Sequence, residues 1–182
     1  MINFKAQYIQ PAVIKRKGIN NKYQDYKVSI AELKTDSQED FIALNNLNCD
    51  WDNCKSLTND IAKTFNSLYA KTKPSEDEHF YVATVQKDNY NKLNKDNILG
   101  IIHTRKTNNG IEIENLQVSP ETNYSAVVRQ FKEVGQSLIN LVIKLNKNTP
   151  ITLIAEYSVT PFYEKLGFIK VCKDTTQMVL KR

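Results

Sequence analysis

Apolar and polar residues alternate along several short stretches in the first half of the chain, which is the pattern of strands with one buried face. QYIQPAVIKRK and DYKVSIAELKT show it first, separated by the polar segment GINNKYQD. HFYVATVQ follows, with side chains that alternate between two faces. These stretches predict three strands, with a loop between the first two.

The clearest local signal is a β-hairpin. NILGIIHTRKT and IEIENLQV flank Asn108-Asn109-Gly110, residue types that accept the positive φ of a tight hairpin turn. Later in the chain, ITLIAEY is an apolar run typical of a buried strand, and GFIKVCKDTTQMVLKR predicts two short strands.

Apolar residues at intervals of three and four positions predict three helices. Asp36 or Ser37 is placed to cap a first helix that runs to about Leu47, and Ser56 or Thr58 opens a second. The longest candidate is VVRQFKEVGQSLINLVIKLNK. Its apolar stripe consists of Phe131, Val134, Leu138, Leu141, Val142 and Leu145.

A fourth, shorter helix is predicted in TPFYEKLGF, residues 160–168. Thr160 is a good N-cap, Pro161 suits the first helical position, and Gly167 can supply a left-handed C-cap. The helix between them carries Tyr163. This side chain either packs the helix onto the sheet or points into a site at the strand ends.

The order of the elements and the composition both constrain the fold. The long helix separates strands at 111–118 and 151–157, which makes a crossover, so the sheet is mixed rather than wholly antiparallel. The chain has 182 residues, of which 41% are hydrophobic and 25% charged. These values suit one globular domain with a sizeable core.

The net charge of +5 comes from 25 Lys and Arg spread along the chain, with one tight run at Lys15-Arg16-Lys17. This distribution favours a solvated, lysine-rich face over a nucleic-acid-binding patch. No stretch approaches the ~20 apolar residues of a membrane span, and the N-terminus lacks a continuous apolar signal region. We therefore expect a cytoplasmic protein without a membrane partner.

The cysteines indicate a reduced protein. Cys49, Cys54 and Cys172 are an odd number, which cannot complete a disulfide framework. Cys49 and Cys54 also lack a second ligand pair for tetrahedral zinc, since the only two histidines, His79 and His103, lie far along the chain. The sequence predicts no metal site.

The element order, the stretch FYEKLGF and the long helix preceded by RQFKEVGQSLI together resemble the GCN5-related N-acetyltransferases, the GNAT superfamily. The resemblance covers about residues 26–182. It implies an α/β (α+β) fold with a mixed, mostly antiparallel central sheet of about seven strands flanked by helices. We expect a single domain over residues 1–182, with residues 1–25 as an N-terminal strand extension.

The resemblance also implies an enzyme that transfers an acetyl group from acetyl-CoA to an amine acceptor by direct attack. Acetyl-CoA (coenzyme A) is then the cofactor, and the acceptor is a small molecule or a protein or peptide amine. A homodimer is compatible with this family. The first 96 residues, which shape the acceptor side in the family, carry no motif that identifies the acceptor.

In this family a loop of the form Q/R-x-x-G-x-G/A cradles the pyrophosphate at the start of the long helix, with backbone N–H groups as donors. Two registers are open here, from Gln130 to Gly135 and from Lys132 to Ser137. The first keeps the following apolar pair in its usual place, and we prefer it. It puts Glu133 where the family has glycine, so a Cβ and a negative charge oppose the pyrophosphate.

The resemblance assigns the cofactor contacts to the strand edge before the loop and to the loop itself. These residues are Leu116, Gln117, Val118, Arg129, Gln130, Phe131, Lys132, Val134, Gly135 and Gln136. Arg129 and Lys132 are able to offset the charge of Glu133. Two further departures from the family are a link, SPETNYSAVV, about ten residues longer than usual and Glu156 in place of a common Asn.

The resemblance makes Tyr163 the acid that protonates the thiolate of coenzyme A. Glu112 and Glu114 lie two apart on one strand and hence on one face, so either is a candidate base, with Glu112 the closer match to the family. Solvent-facing strand carboxylates are the alternative interpretation. His103 is a weaker base candidate.

A second function from a different class stays open. Because Glu133 opposes tight cofactor binding, the chain is alternatively a GNAT-like module that acts as a non-catalytic interaction protein. Titration with acetyl-CoA distinguishes the two.

Overall fold

The computed structural model describes residues 6–51, 55–71, 75–122 and 129–180, which form one nine-stranded sheet and four helices. The strands are β1 (Gln7–Lys17), β2 (Tyr23–Leu33), β3 (Glu78–Thr84), β4 (Ile98–Thr107), β5 (Gly110–Val118), β6 (Phe131–Lys132), β7 (Ile151–Ile154), β8 (Ile169–Lys170) and β9 (Gln177–Leu180). The helices are α1 (Gln38–Asp50), α2 (Lys55–Tyr69), α3 (Val134–Leu145) and α4 (Thr160–Glu164). Cys54 and part of the long link, residues 123–128, lie outside the described residues.

The strand order is β6-β1-β2-β3-β4-β5-β7-β9-β8. Every pair of neighbours is antiparallel except β5 and β7, which are parallel across the crossover through α3. This confirms the predicted mixed, mostly antiparallel α/β fold. The described sheet has nine strands rather than about seven, because β1 and the short β6 add to one edge.

The two faces of the sheet carry separate cores. On one face, α3 and α4 cover a cluster that includes Ile30, Tyr81, Ala83, Ile102, Ile113, Leu138 and Phe168. On the other face, α1 and α2 cover a cluster that includes Ala31, Leu44, Phe65, Phe80, Val82 and Ile101. Alternate residues of β3 therefore belong to the cores on opposite faces of the sheet, as predicted.

The long helix begins later than predicted. Residues 131 and 132 form β6, which pairs with β1, and α3 starts only at Val134. Glu133 between them has φ 69° and ψ 11°, a left-handed conformation that an α-helix cannot contain. Phe131 of the predicted stripe is buried as a strand residue, and Leu145 at the helix end is exposed.

The turns follow the predicted residues, although not in every detail. At the hairpin only Gly110 takes a positive φ, of 138°, and a Cβ there would lie 2.3 Å from the Pro150 carbonyl oxygen. Neither asparagine of the turn has a positive φ. β2 begins inside the segment predicted as a loop, at Tyr23.

The helix that carries Tyr163 ends in the predicted left-handed glycine. Gly167 has φ 92°, its N–H donates to the Glu164 carbonyl, and the Phe168 N–H donates to the Tyr163 carbonyl. These two bonds form a complete Schellman motif. The predicted N-cap is wrong by one residue, because Thr160 is already helical and its hydroxyl donates to the Glu156 carbonyl.

None of the helices in the described part of the chain is long and apolar enough to cross a membrane.

Ser37 caps α1, as predicted, and its hydroxyl accepts the Asp40 N–H at 3.2 Å. Asp40 itself is fully buried. Its Oδ2 accepts the Lys34 N–H, and its Oδ1 has no hydrogen-bond partner among the described residues. Burial raises the pKa of this carboxyl from its ordinary 3.8 to about 7, because the low-dielectric interior disfavours the charged form.

Asp40 should make the protein less stable as the pH rises. Its pKa is higher in the folded state, so its contribution is fully present below about pH 4 and is lost as the pH approaches 7. Asp40→Asn should remove this loss and stabilise the protein at pH 8 but not at pH 4. Urea unfolding across this pH range measures the effect, with Asp60→Asn on the exposed face of α2 as the control. Equal pH slopes in wild type and Asp40→Asn would contradict the assignment.

Candidate active site

β5 and β7 lie side by side for only part of their lengths. Ile111 to Ile113 pair with Ile151 to Leu153, after which β7 ends at Ile154 and β5 continues to Val118. No other described strand pairs with this edge of β5. The C-terminal half of β5 therefore borders a wedge, defined here as the gap between β5 and β7 beyond Ile113.

The backbone of β5 presents polar groups to this wedge. The Ser119 N–H donates to the Leu99 carbonyl of β4. Because residues of an antiparallel pair alternate between facing their partner and facing away, Gln117 also bonds toward β4, and Leu116 and Val118 face the wedge. The Gln117 side chain donates to the Val118 carbonyl at 2.9 Å, so it is held at the same edge.

A β-bulge lies where the strands part. His103 pairs with Asn115 and Thr104 with Ile113, which leaves Glu114 as the extra residue of β5. Such a bulge redirects side chains locally. Ile113 and Leu116, three positions apart, consequently both pack against the core beneath α3.

Glu112 and Glu114 meet at one cation, in agreement with their predicted common face. Arg105 Nη2 lies 3.0 Å from Glu112 Oε2 and also forms an ion pair with Glu114 Oε1. Both carboxylate side chains keep about a quarter of their surface exposed, at 28% and 27%. Glu112 still lies in the paired part of β5, beside Thr152, whereas Glu114 lies at the mouth of the wedge.

His103 is part of the core beneath α1 and α2. Its ring stacks on Phe80 with centroids 4.3 Å apart, and its Nε2 lies 2.5 Å from Glu78 Oε2. Burial lowers the pKa of His103, although Glu78 opposes the shift. Since the residue is only 3% exposed, the accessible carboxylates are better placed than His103 to meet a substrate.

The loop before α3 is tied to the hairpin of β1 and β2. The Lys17 N–H donates to the Gln130 carbonyl at 2.8 Å, and the Tyr23 hydroxyl donates to the Arg129 carbonyl at 2.7 Å. Arg129 Nε in turn donates to the carbonyls of Thr122 and Phe131. No local sequence pattern reports this support, because the run Lys15-Arg16-Lys17 predicts only a solvated face.

The side chains of the loop do not point where the sequence predicts. Arg129 is occupied by backbone carbonyls, and Lys132 Nζ lies over the Tyr23 ring, 3.8 Å from its centroid. Phe131 is buried against Tyr26. None of these three side chains is directed at Glu133, so the predicted offset of its charge is not seen.

Glu133 holds the conformation for which glycine is suited. Its positive φ occurs at the position where the preferred register has the first glycine of the motif. The Ser137 N–H makes the first helical bond, to the Glu133 carbonyl. The N–H groups of Val134, Gly135 and Gln136 precede that bond and point out of the helix start as donors.

Gly135 is the point where three elements converge. A Cβ placed on it would lie 3.4 Å from Leu116 Cδ2, 3.6 Å from Phe162 Cζ and 3.7 Å from Val118 Cγ1. The start of α3, the open edge of β5 and the helix α4 therefore meet at the wedge. Two clefts, of about 480 and 650 Å³, lie elsewhere, at the β4–β5 turn and the β1–β2 turn. We therefore define the wedge by the elements that border it.

Tyr163 lies half-buried beside this point. Its ring packs edge-on against Phe162 and Phe168, with centroids 5.0 and 5.9 Å apart. Burial, with a smaller effect of the Glu156 charge, raises the pKa of Tyr163 to about 12, above the ordinary value near 10. The phenol thus stays protonated at neutral pH, and the raised pKa makes it a weaker acid than an ordinary tyrosine.

No protein-family model matches this chain, and no curated protein is significantly similar to it in sequence. Solved structures do match. PaiA N-acetyltransferase from Thermoplasma acidophilum, solved with coenzyme A, is 17% identical with a TM-score of 0.55 over 84% of this chain and 96% of that one. A proposed acetyltransferase from Pyrococcus horikoshii is 16% identical with a TM-score of 0.51, over 79% of this chain and 43% of that one.

These likenesses identify the fold. The chain has the fold of the GCN5-related N-acetyltransferases, as the resemblance of its motifs implied.

Glu133→Gly should stabilise the protein. It removes a left-handed non-glycine residue, which costs ~1–2 kcal/mol, and part of this gain is offset by the greater chain entropy of glycine. We expect a net gain of up to about 1 kcal/mol in the free energy of unfolding, measured by urea denaturation. Glu133→Ala is the matched control, since it removes the charge and keeps the Cβ. Equal stabilisation by both variants would show that charge, and not backbone strain, is responsible.

Proposed function

We propose that this chain is an N-acetyltransferase that uses acetyl-CoA and transfers the acetyl group to an amine by direct attack. The observation that carries the proposal is the convergence at Gly135, where a helix N-terminus, an open strand edge and the Tyr163 helix meet. The crystal structure of the PaiA relative, which has the same fold, contains coenzyme A.

The residues at the wedge suit the shape and charge of coenzyme A. The N–H groups of Val134, Gly135 and Gln136 form an anion site for the pyrophosphate, and the helix dipole favours negative charge there. Gly135 lets the start of α3 pack closely against Leu116, Phe162 and Val118, which keeps these donors at the wedge. The wedge-facing backbone groups of Leu116 and the Val118 N–H are placed to pair with amides of the pantetheine arm, in the manner of an added strand, whereas the Val118 carbonyl accepts the Gln117 side chain.

The remaining loop residues support the site through their backbone. Gln130, Phe131 and Lys132 set the direction in which the chain enters α3, because they are bonded to β1. Arg129 closes the base of the loop. Their mutual hydrogen bonds preorganise the N–H donors, which reduces the ordering cost of binding.

Transfer of an acetyl group to an amine needs an acid that protonates the departing thiolate and a base that takes a proton from the attacking amine. Acetyl-CoA supplies an activated thioester when bound. In this proposal Tyr163 donates the phenol proton that neutralises the departing thiolate sulfur. A carboxylate of the bulge takes the proton lost by the attacking amine, directly or through water. Tyr163 packs against the core beneath α3, and the Glu114 carboxylate pairs with Arg105 at the point where β5 leaves β7.

The alternative, a non-catalytic interaction module, is favoured by Glu133 alone. Its carboxylate is exposed beside the N–H donors and repels a pyrophosphate unless it turns away. Weak or absent binding of coenzyme A together with absent turnover would support this alternative.

Tyr163→Phe should reduce turnover by at least about tenfold, since a positioned acid contributes about 10²–10⁴-fold. The ring still packs against Phe162 and Phe168, so coenzyme A affinity and the melting temperature should stay nearly unchanged. Release of free thiol measures turnover with the best acceptor from a screen of small amines and peptides. Tyr157→Phe, on an exposed tyrosine of the same segment, is the control. Normal turnover in Tyr163→Phe would leave this tyrosine as a packing residue only.

Glu114→Gln should reduce turnover more than Glu112→Gln. Glu114 lies at the mouth of the wedge, whereas Glu112 lies back in the paired part of β5. If Glu114 accepts the proton, its loss should also remove the acidic limb of the pH–rate profile, which a merely structural change would not do. A larger loss in Glu112→Gln, with that limb retained in Glu114→Gln, would transfer the role of base to Glu112.

A further inference from the structure

The hairpin of β1 and β2 extends beyond the rest of the sheet. β2 pairs with β3 only from Ser29 to Leu33, whereas it pairs with β1 as far as Tyr23. The free end of the hairpin reaches the loop before α3, where β6 pairs with Arg16 and Lys15. The hairpin end therefore borders the proposed pyrophosphate site.

Arg16 differs from the other cations of this hairpin. Its guanidinium carbon lies 4.9 Å from the centroid of the Tyr26 ring and 5.8 Å from that of Phe131. No ion pair joins it to an acidic residue of the described ranges, whereas Lys15 pairs with Asp25. An arginine held on aromatic faces keeps its N–H donors at the ring edge, ready for a two-pronged contact with phosphate.

The surroundings of Arg16 suit an anionic ligand on the same side of the sheet as α3. Alternation along β1 places Arg16 on the face of Ile14, which belongs to the core beneath α3. Arg16 also lines the cleft of about 650 Å³ at the hairpin end, together with Lys17, Gln24 and Tyr26, and the carboxylate of Asp25 in the same cleft is paired with Lys15. Lys132 lies over the Tyr23 ring and so is not part of this surface.

We propose that Arg16 binds the 3′-phosphate on the ribose of coenzyme A, a function that rests on the proposed use of acetyl-CoA. The 3′-phosphate is a monoester with a charge close to −2, and it is a few bonds from the pyrophosphate. In this proposal the pyrophosphate lies at the start of α3, and the nucleotide end extends toward the hairpin. The arginine of the hairpin, Arg16, has no ion-pair partner among the described residues. Arg16 is thereby a specificity-determining residue that distinguishes coenzyme A from cofactors without this phosphate.

Calorimetric titration of the full chain with coenzyme A and with 3′-dephospho-coenzyme A tests the proposal. Wild type should bind coenzyme A at least about tenfold more tightly, which is a typical effect of one charge-assisted phosphate contact. Arg16→Gln should lose most of this ratio and leave the affinity for the dephospho form unchanged. Arg16→Lys should retain part of it, because the charge remains and the planar fork is lost. Lys15→Gln, the neighbouring cation on the opposite face, should keep the full ratio.

Each of the other possible titration results rejects a specific claim. Equal affinity of wild type for both ligands, or an unchanged ratio in Arg16→Gln, rejects the role of Arg16 and leaves the acetyltransferase proposal standing. Equal weakening of both ligands in Arg16→Gln shows that Arg16 only supports the hairpin, which also rejects the proposal. Binding of neither ligand by wild type rejects the use of coenzyme A and this inference together.

Discussion

The parting of β5 from β7 after Ile113 is the constraint on which the candidate site depends. Three residue pairs join the two strands, and beyond them the edge of β5 that faces away from β4 has no neighbour in the described part of the sheet. Polar backbone groups at an open edge favour a partner that supplies matching groups. Both the bulge at Glu114 and Gly135 at the start of α3 lie at this opening, and the helix that carries Tyr163 reaches Gly135 through Phe162.

Much of the fold was predictable because its signals are local. Alternation along β1, the Ser37 cap of α1 and the left-handed Gly167 each act within a few residues, and each appears in the structure. The start of the long helix was not predictable in this way. An apolar residue such as Phe131 suits a helical stripe and a buried strand equally well, and only the pairing with β1, distant in sequence, decides between them.

The candidate site was only partly predictable. The motif resemblance proposes Tyr163 and the loop as site residues, and the glycine positions of such a motif follow from the backbone conformations they require. The resemblance did not predict the bulge that places Glu114 at the wedge, because a bulge depends on the register of two strands. The contact of Tyr23 with the Arg129 carbonyl joins residues 106 positions apart, and no local pattern reports it. A strained residue such as Glu133 often marks a functional position. Its positive φ is seen in the structure and follows from no local sequence pattern.

Hydrogen–deuterium exchange with and without saturating coenzyme A tests most directly whether the wedge is one ligand site. The account predicts slower exchange in three segments at once, at 114–118, 133–137 and 160–168, because one ligand contacts all three elements. Exchange in α2, on the opposite face, should not change. Unchanged exchange at the wedge, or protection confined to residues 145–150 beside the β4–β5 turn, would contradict the account.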